Sequence, residues 1–264
     1  MLHSLSVIWD YRNFIFSSIR GEFAKRIVRS RLGALWMVIN PLAMVGIYAF
    51  ILSNVLSSRL PGATSKYAYT IYLIAGQIGW NLFSEIIMNC TSVFIREANI
   101  LKKIRFPRFL LPIIVLGVCI VDNILLISIA LVLFFVLGHA FTLHLLWLVF
   151  LTALTTLLAL SIGLTVGIVN VFVRDVGQVV PIILQVLFWF TPIVYPESIV
   201  PGKYLDILRL NPMVSVVSGY HQVIVNGQLP DFFELGKVLA VSFVLFAFSL
   251  FIYKKANQEM VDEL

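Results

Sequence analysis

The chain alternates long apolar runs with short, mostly basic connections. Six runs have membrane length, at about residues 35–56, 68–94, 109–137, 145–173, 176–195 and 235–253. A helix needs about 20 residues to cross a bilayer core, so each run predicts a spanning helix. The third and fourth are longer than that and predict tilt or overhang. Asn40-Pro41 in the first predicts a kink, and Pro181 and Pro192 interrupt the fifth.

Two further patterns fall outside the spans. In residues 1–34, Val7, Ile8, Tyr11, Phe14, Ile15 and Ile19 share one arc of a helix. Asp10, Asn13, Ser17 and Arg20 lie opposite, Arg12 intrudes, and the pattern breaks near Gly21. This predicts an amphipathic helix lying in the membrane interface, with ordinary packing on protein as the other reading. Between the fifth and sixth spans, residues 196–233 are expected outside. Within them Met213 to Val225 is apolar but too short to cross, which predicts a re-entrant or interfacial helix pair. Gly163-x-x-x-Gly167 in the fourth span offers close helix approach. The expected fold class is thus all-α integral membrane. Residues 35–264 form a six-helix transmembrane domain behind an N-terminal interfacial helix, with external re-entrant helices between helices 5 and 6.

Composition agrees. With 60% hydrophobic residues, 12% charged and a mean hydropathy of +0.99, the chain lies outside the range of soluble domains. Its net charge of +6 is unevenly spread. Six Lys/Arg precede Ala34, five lie in residues 96–108, Arg174 follows the fourth span, and Lys254 and Lys255 follow the sixth. Basic short loops stay on the cytoplasmic side, so both termini are expected there. Cations clustered at span ends suit lipid head groups better than nucleic acid. No cleavable signal peptide is read at the start of the chain. Cys90 and Cys119 lack partner spacing and read as small buried residues.

The chemistry-bearing residues are few. There is no Gly-x-x-x-x-Gly-Lys-Ser/Thr loop, no paired carboxylates for glycosyl chemistry, and the histidines 3, 139, 144 and 221 are scattered as surface or loop residues. The chain is therefore expected not to be an enzyme. Glu85 and Asp122 lie inside spans, where a charge costs a few kcal/mol and usually faces a cavity or a partner. Gln77, Asn81, Glu85 and Asn89 recur every four residues, making a polar stripe that fits a pore, a subunit contact or a tertiary hydrogen-bond network. Asp122, beside Asn123, is isolated, and a structural pairing is expected for it. Many Trp and Tyr belong at head-group level. Tyr72, Trp80, Phe83, Phe188, Trp189 and Tyr195 are dense enough to suggest faces on which sugar rings stack. With Glu85 they are the candidate channel lining.

The segment Arg96-Glu-Ala-Asn-Ile-Leu-Lys-Lys-Ile-Arg-Phe-Pro-Arg108 holds five cations and one carboxylate between two spans. Its apolar positions make it a docking surface for a soluble partner on the cytoplasmic side.

These segments together resemble the membrane subunit of ABC-2 type exporters for polysaccharides, the group that moves O-antigen, capsule and teichoic acid chains. The resemblance runs nearly end to end. It rests on Ser30-Arg-Leu-Gly-Ala-Leu-Trp36 with Asn40-Pro-Leu42, on residues 96–108 with Leu111-Pro112, and on Arg174-Asp175. Thr191-Pro-Ile-Val-Tyr-Pro196, Asn211-Pro-Met213 and Asn226-Gly227 with Pro230 complete it. Ser30-Arg31 departs from an Arg-Tyr pair that many relatives carry several residues earlier, where Arg26-Ile27 stands here.

The resemblance implies a homodimer working with two copies of a separate ATPase, which would bind ATP and Mg; this chain would hold no cofactor. It implies a coupling role for Glu97, Ala98, Asn99, Ile100, Leu101, Lys102 and Lys103 in loop 96–108. The substrate implied is a polysaccharide, O-antigen first, on a polyprenyl pyrophosphate, crossing the bacterial inner membrane. Lys25, Arg26, Arg29 and Arg31 are the candidate pyrophosphate-binding cations, with positive-inside anchoring as the alternative. Competing expectations are an ABC-2 drug or lipid exporter, an ATP-independent channel, a secondary carrier and a membrane glycosyltransferase.

Overall fold

The structure is a computed structural model that describes residues 9–28, 67–99, 107–256 and 259–263, with the isolated positions 39, 43 and 47. No strand occurs among the described residues. The helices are α1 (Arg12–Val28), α2 (Ala68–Arg96), α3 (Leu110–Val136), α4 (Trp147–Phe172), α5 (Val176–Trp189), α6 (Gly202–Leu208), α7 (Pro212–Ile224), α8 (Phe232–Ala256) and α9 (Met260–Glu263). A 3₁₀ turn, Leu143–Leu146, leads straight into α4.

Among the described residues, four helices are long and apolar enough to cross a membrane: α2, α3, α4 with its leading turn, and α8. They match the predicted second, third, fourth and sixth spans. The predicted first span lies outside the described residues except at Ile39, Ala43 and Ile47. The fifth differs from expectation. α5 stops at Trp189 after 14 residues, about 21 Å of helix, against the ~30 Å of a bilayer core. Pro192 explains the early end, because it lacks an N–H and biases Thr191 away from helical backbone. The chain tightens there, with Thr191 N–H donating to the Phe188 carbonyl at 3.2 Å. Pro181 sits inside α5 without ending it.

α2 is the central helix, packed on α3, α4, α5 and α7. The spacing at Gly163 and Gly167 does what small residues in a span allow. Gly163 lies against Cys90 and Ile87, and Gly167 meets the Cys90 carbonyl so closely that a methyl has no room. α7 is inserted among α2, α4 and α8 with nine of its residues buried. Asn211 caps it, Oδ1 accepting from Met213 N–H at 3.0 Å, and Pro212 fills the first position. At 13 residues it is too short to span, in keeping with the sequence. Gly79 leaves the space that the Tyr220 ring occupies.

α1 runs along the first half of α3. Of the predicted arc, Ile15 is buried and Ile19 rests on Gly117, while Phe14 stays 45% exposed. The predicted arc is thus shared between a protein contact and an open face.

Candidate functional site

Where α1 crosses the end of α2 and the start of α3, a cavity of about 270 Å³ opens. Lys25, Arg26 and Arg96 line it together with Glu22 and Glu97, over a floor that includes Leu111, Val115 and Val118. Packing of Ile19 on Gly117 places the last turns of α1 here. Arg96 ends α2, where a cation suits the negative end of the helix dipole.

Each cation is held by a carboxylate. Lys25 Nζ lies 2.8 Å from Glu22, and Arg96 Nε lies 3.3 Å from Glu97. Arg26 Nη1 donates to both oxygens of Asp122, at 3.1 and 2.9 Å. Asp122 stands twelve residues beyond Leu110, about 18 Å along α3. A carboxylate at that depth needs a counter-ion, and α1 supplies one from outside the spans. The structural partner that the sequence left unspecified for Asp122 is therefore Arg26.

From this cavity a polar flank climbs α2. Asn89 and Glu85 are half-buried, Asn81 is exposed and Gln77 half-buried, with Ser84 and Ser92 on the same side. Part of it is internal bonding: Asn89 Nδ2 donates to the Glu85 carbonyl at 3.0 Å and lies 3.7 Å from Cys119 Sγ. Asn81 remains open on a helix whose other faces are mostly buried.

At the opposite end, the aromatic candidates divide. Trp80 (6% exposed) and Phe83 are buried, and the half-buried Phe188 meets Trp80 edge-on, ring centroids 5.6 Å apart. Tyr72 O–H donates to the carbonyls of Pro192 and Tyr195, both at 3.1 Å. Tyr69 O–H takes that of Val194 at 2.7 Å, so two tyrosines of α2 fasten the turn after α5. Tyr195 O–H in turn donates to the Trp189 carbonyl at 2.8 Å. Trp189, 59% exposed, keeps an open face.

The histidines gather here, which their spacing concealed. His139 Nε2 lies 2.7 Å from the Ile224 carbonyl and His144 Nδ1 2.8 Å from that of Gly227. His221 Nε2 lies 3.0 Å from the Tyr72 carbonyl. The three described histidines thus fix the C-terminal end and one flank of α7. A signal did exist: His139 and His144 bracket one loop expected outside, and the turn they hold belongs to the other.

Of the docking candidates, Glu97 is half-buried against Arg96, and Ala98 and Asn99 stand in helical conformation. Ile100, Leu101, Lys102 and Lys103 lie outside the described residues, as do Arg29 and Arg31.

Comparison with known proteins fits this architecture. Residues 14–225 match the family of the ABC-2 type transporter, and the chain belongs to that family. Among individual relatives, it is 27% identical to the O-antigen export system permease protein RfbA of Myxococcus xanthus, over the whole of both chains. It is 29% identical to the RfbA protein of the same description in Klebsiella pneumoniae, covering 87% of this chain and 85% of that one. The polysialic acid transport protein KpsM of Escherichia coli is 24% identical, over 91% of this chain and 92% of its own.

Proposed function

We propose that this chain is the membrane subunit of an ATP-driven exporter for a polysaccharide carried on polyprenyl pyrophosphate, O-antigen being the leading substrate. The observation that carries the reading is the open polar flank of α2. It joins a cation-lined cavity at one end to an aromatic region with an exposed Trp189 at the other. Polar side chains at membrane depth face protein or a wet path rather than lipid. The names of the relatives support the substrate class.

In this reading two copies of the chain sit in the bacterial inner membrane with two copies of a separate ATPase, which binds ATP and Mg. Each copy has six spans, with the first in residues 35–56, α5 completed by its outer turn, and α7 as the re-entrant element. Both termini face the cytoplasm. Glu97 to Lys103 seats in the ATPase. Lys25 and Arg26, with Arg29 and Arg31, receive the pyrophosphate at the cytoplasmic boundary. Tyr72, Trp80, Phe83, Glu85, Phe188, Trp189 and Tyr195 surround the glycan route, with Trp189 and Tyr195 nearest the sugar.

The test is reconstitution of the chain with its ATPase partner. Lipid-linked glycan should stimulate hydrolysis, and charge reversal at Lys102 and Lys103 should abolish export while leaving insertion intact. Export that survives the reversal removes the docking role. Ion-driven transport by the chain alone would remove the exporter reading.

A further inference from the structure

We infer that Asp122, assisted by Glu22 and Glu97, is a built-in competitor that makes the cationic cavity selective for multiply charged head groups over single-charge phospholipids. The inference rests on the proposed reading of the cavity as a pyrophosphate site and adds a determinant of specificity to it.

Every described cation of the cavity already has an anion. Arg26 is held by both oxygens of Asp122, Lys25 by Glu22 and Arg96 by Glu97. The cavity is half-open and joins apolar surface, with Phe14 and Ile114 among its lining residues. A cation cluster of this kind, left unpaired beside a membrane, attracts anionic phospholipids. A phosphodiester head brings one charge and exchanges one anion for another with little gain.

A diphosphate differs. It brings about two or more charges and several acceptor oxygens, so it can engage Arg26, Lys25 and Arg96 together through charge-assisted bonds. The three exchanges are not equal. The pairs of Lys25 and Arg96 are more open to water, and exposed pairs of that kind are weak. Asp122 is the least exposed of the three carboxylates, at 19% of its side chain, and stands deep along α3. Leaving it unpaired there is disfavoured, so Arg26 yields only to an anion that offers more than one carboxylate does. Discrimination then comes from what the wrong ligand must displace.

The experiment places the full-length chain in nanodiscs of phosphatidylethanolamine and titrates inorganic pyrophosphate, reading the shift in Tm. Parallel discs contain phosphatidylglycerol. For the native chain, pyrophosphate should raise Tm to saturation, and phosphatidylglycerol should leave the midpoint unchanged. Asp122→Asn should lower the pyrophosphate midpoint by about threefold or more, and phosphatidylglycerol should now raise it again. A midpoint and a lipid insensitivity identical to the native chain's would overturn the inference. If Asp122→Asn does not fold, Glu22→Gln with Glu97→Gln should move both readouts the same way, and no movement would overturn it. A native chain that ignores pyrophosphate as completely as Arg26→Gln does would sink the cavity reading itself, and this inference with it.

Discussion

His221 lies flat against Tyr72, ring centroids 3.7 Å apart and planes 19° from parallel, and bonds that same residue's backbone carbonyl at 3.0 Å. A carbonyl can only accept, so Nε2 carries the proton. Gly76 leaves the room the imidazole needs, since a methyl there would sit 3.0 Å from Nε2. The short helix α7 is thereby keyed to the central helix at one residue.

Removing the key should loosen α7. His221→Ala loses the stack and the bond and leaves a buried void, at a cost of about 3 kcal/mol. His221→Phe keeps the stacked ring and should cost less. Thermal unfolding of the purified chain checks both, and a native Tm for the alanine variant would show that α7 is held elsewhere.

Tyr72→Phe should release the turn after α5. It deletes the donor that serves Pro192 and Tyr195, worth roughly 1 kcal/mol for a net hydrogen bond. Amide exchange at Val194 and Tyr195 should quicken while exchange in α4 stays as it was. Unaltered exchange in the turn would assign its order to the bonds of Tyr69 and Tyr195 instead.

Gly167→Val should separate α2 from α4. A side chain there runs into the Cys90 backbone, which cannot swing aside, and overpacking of this kind costs roughly 1–3 kcal/mol. Gly236 in α8 is the contrast. Nothing lies within 4 Å of the position a methyl would take, so Gly236→Ala should be neutral or stabilise by up to about 1 kcal/mol. Similar losses in both variants would contradict the packing described.

Burial raises the Glu197 carboxyl above the ordinary glutamate range, and Arg209, 4.0 Å away, pulls it back only in part. A pKa raised by folding means that the folded chain keeps the proton longer. Its contribution to stability is complete below the unfolded pKa and is lost as pH rises through the folded one. Tm should therefore decline over that interval, and Glu197→Gln should flatten the decline. A slope that survives the substitution places its source in another group.

The four long helices were legible because each is a continuous apolar run, and hydrocarbon length is a property that composition alone records. Gly163 and Gly167 were legible for a similar reason: small residues one turn apart mark close approach. α5 was read too long because its apolarity continues through Phe190, Ile193 and Val194, past the backbone break that Pro192 imposes. Of the described histidines, His139 and His144 stand in a loop as expected, and only His221, buried in α7, was misjudged for want of distance information. His139 and His221 are 82 residues apart in sequence, 221 − 139, and nothing in periodicity says that both will hold α7. Arg26 and Asp122 illustrate the limit most clearly. Each was singled out, one as a head-group cation and one as a lone buried acid, and only the fold joins them.

The exposed amide of Asn81 has a biosynthetic consequence. A single copy among lipids would present that amide to acyl chains, where a polar side chain is disfavoured. If two copies pair as proposed and cover that amide, working assemblies depend on how quickly new chains meet, so halving expression should reduce them by more than half.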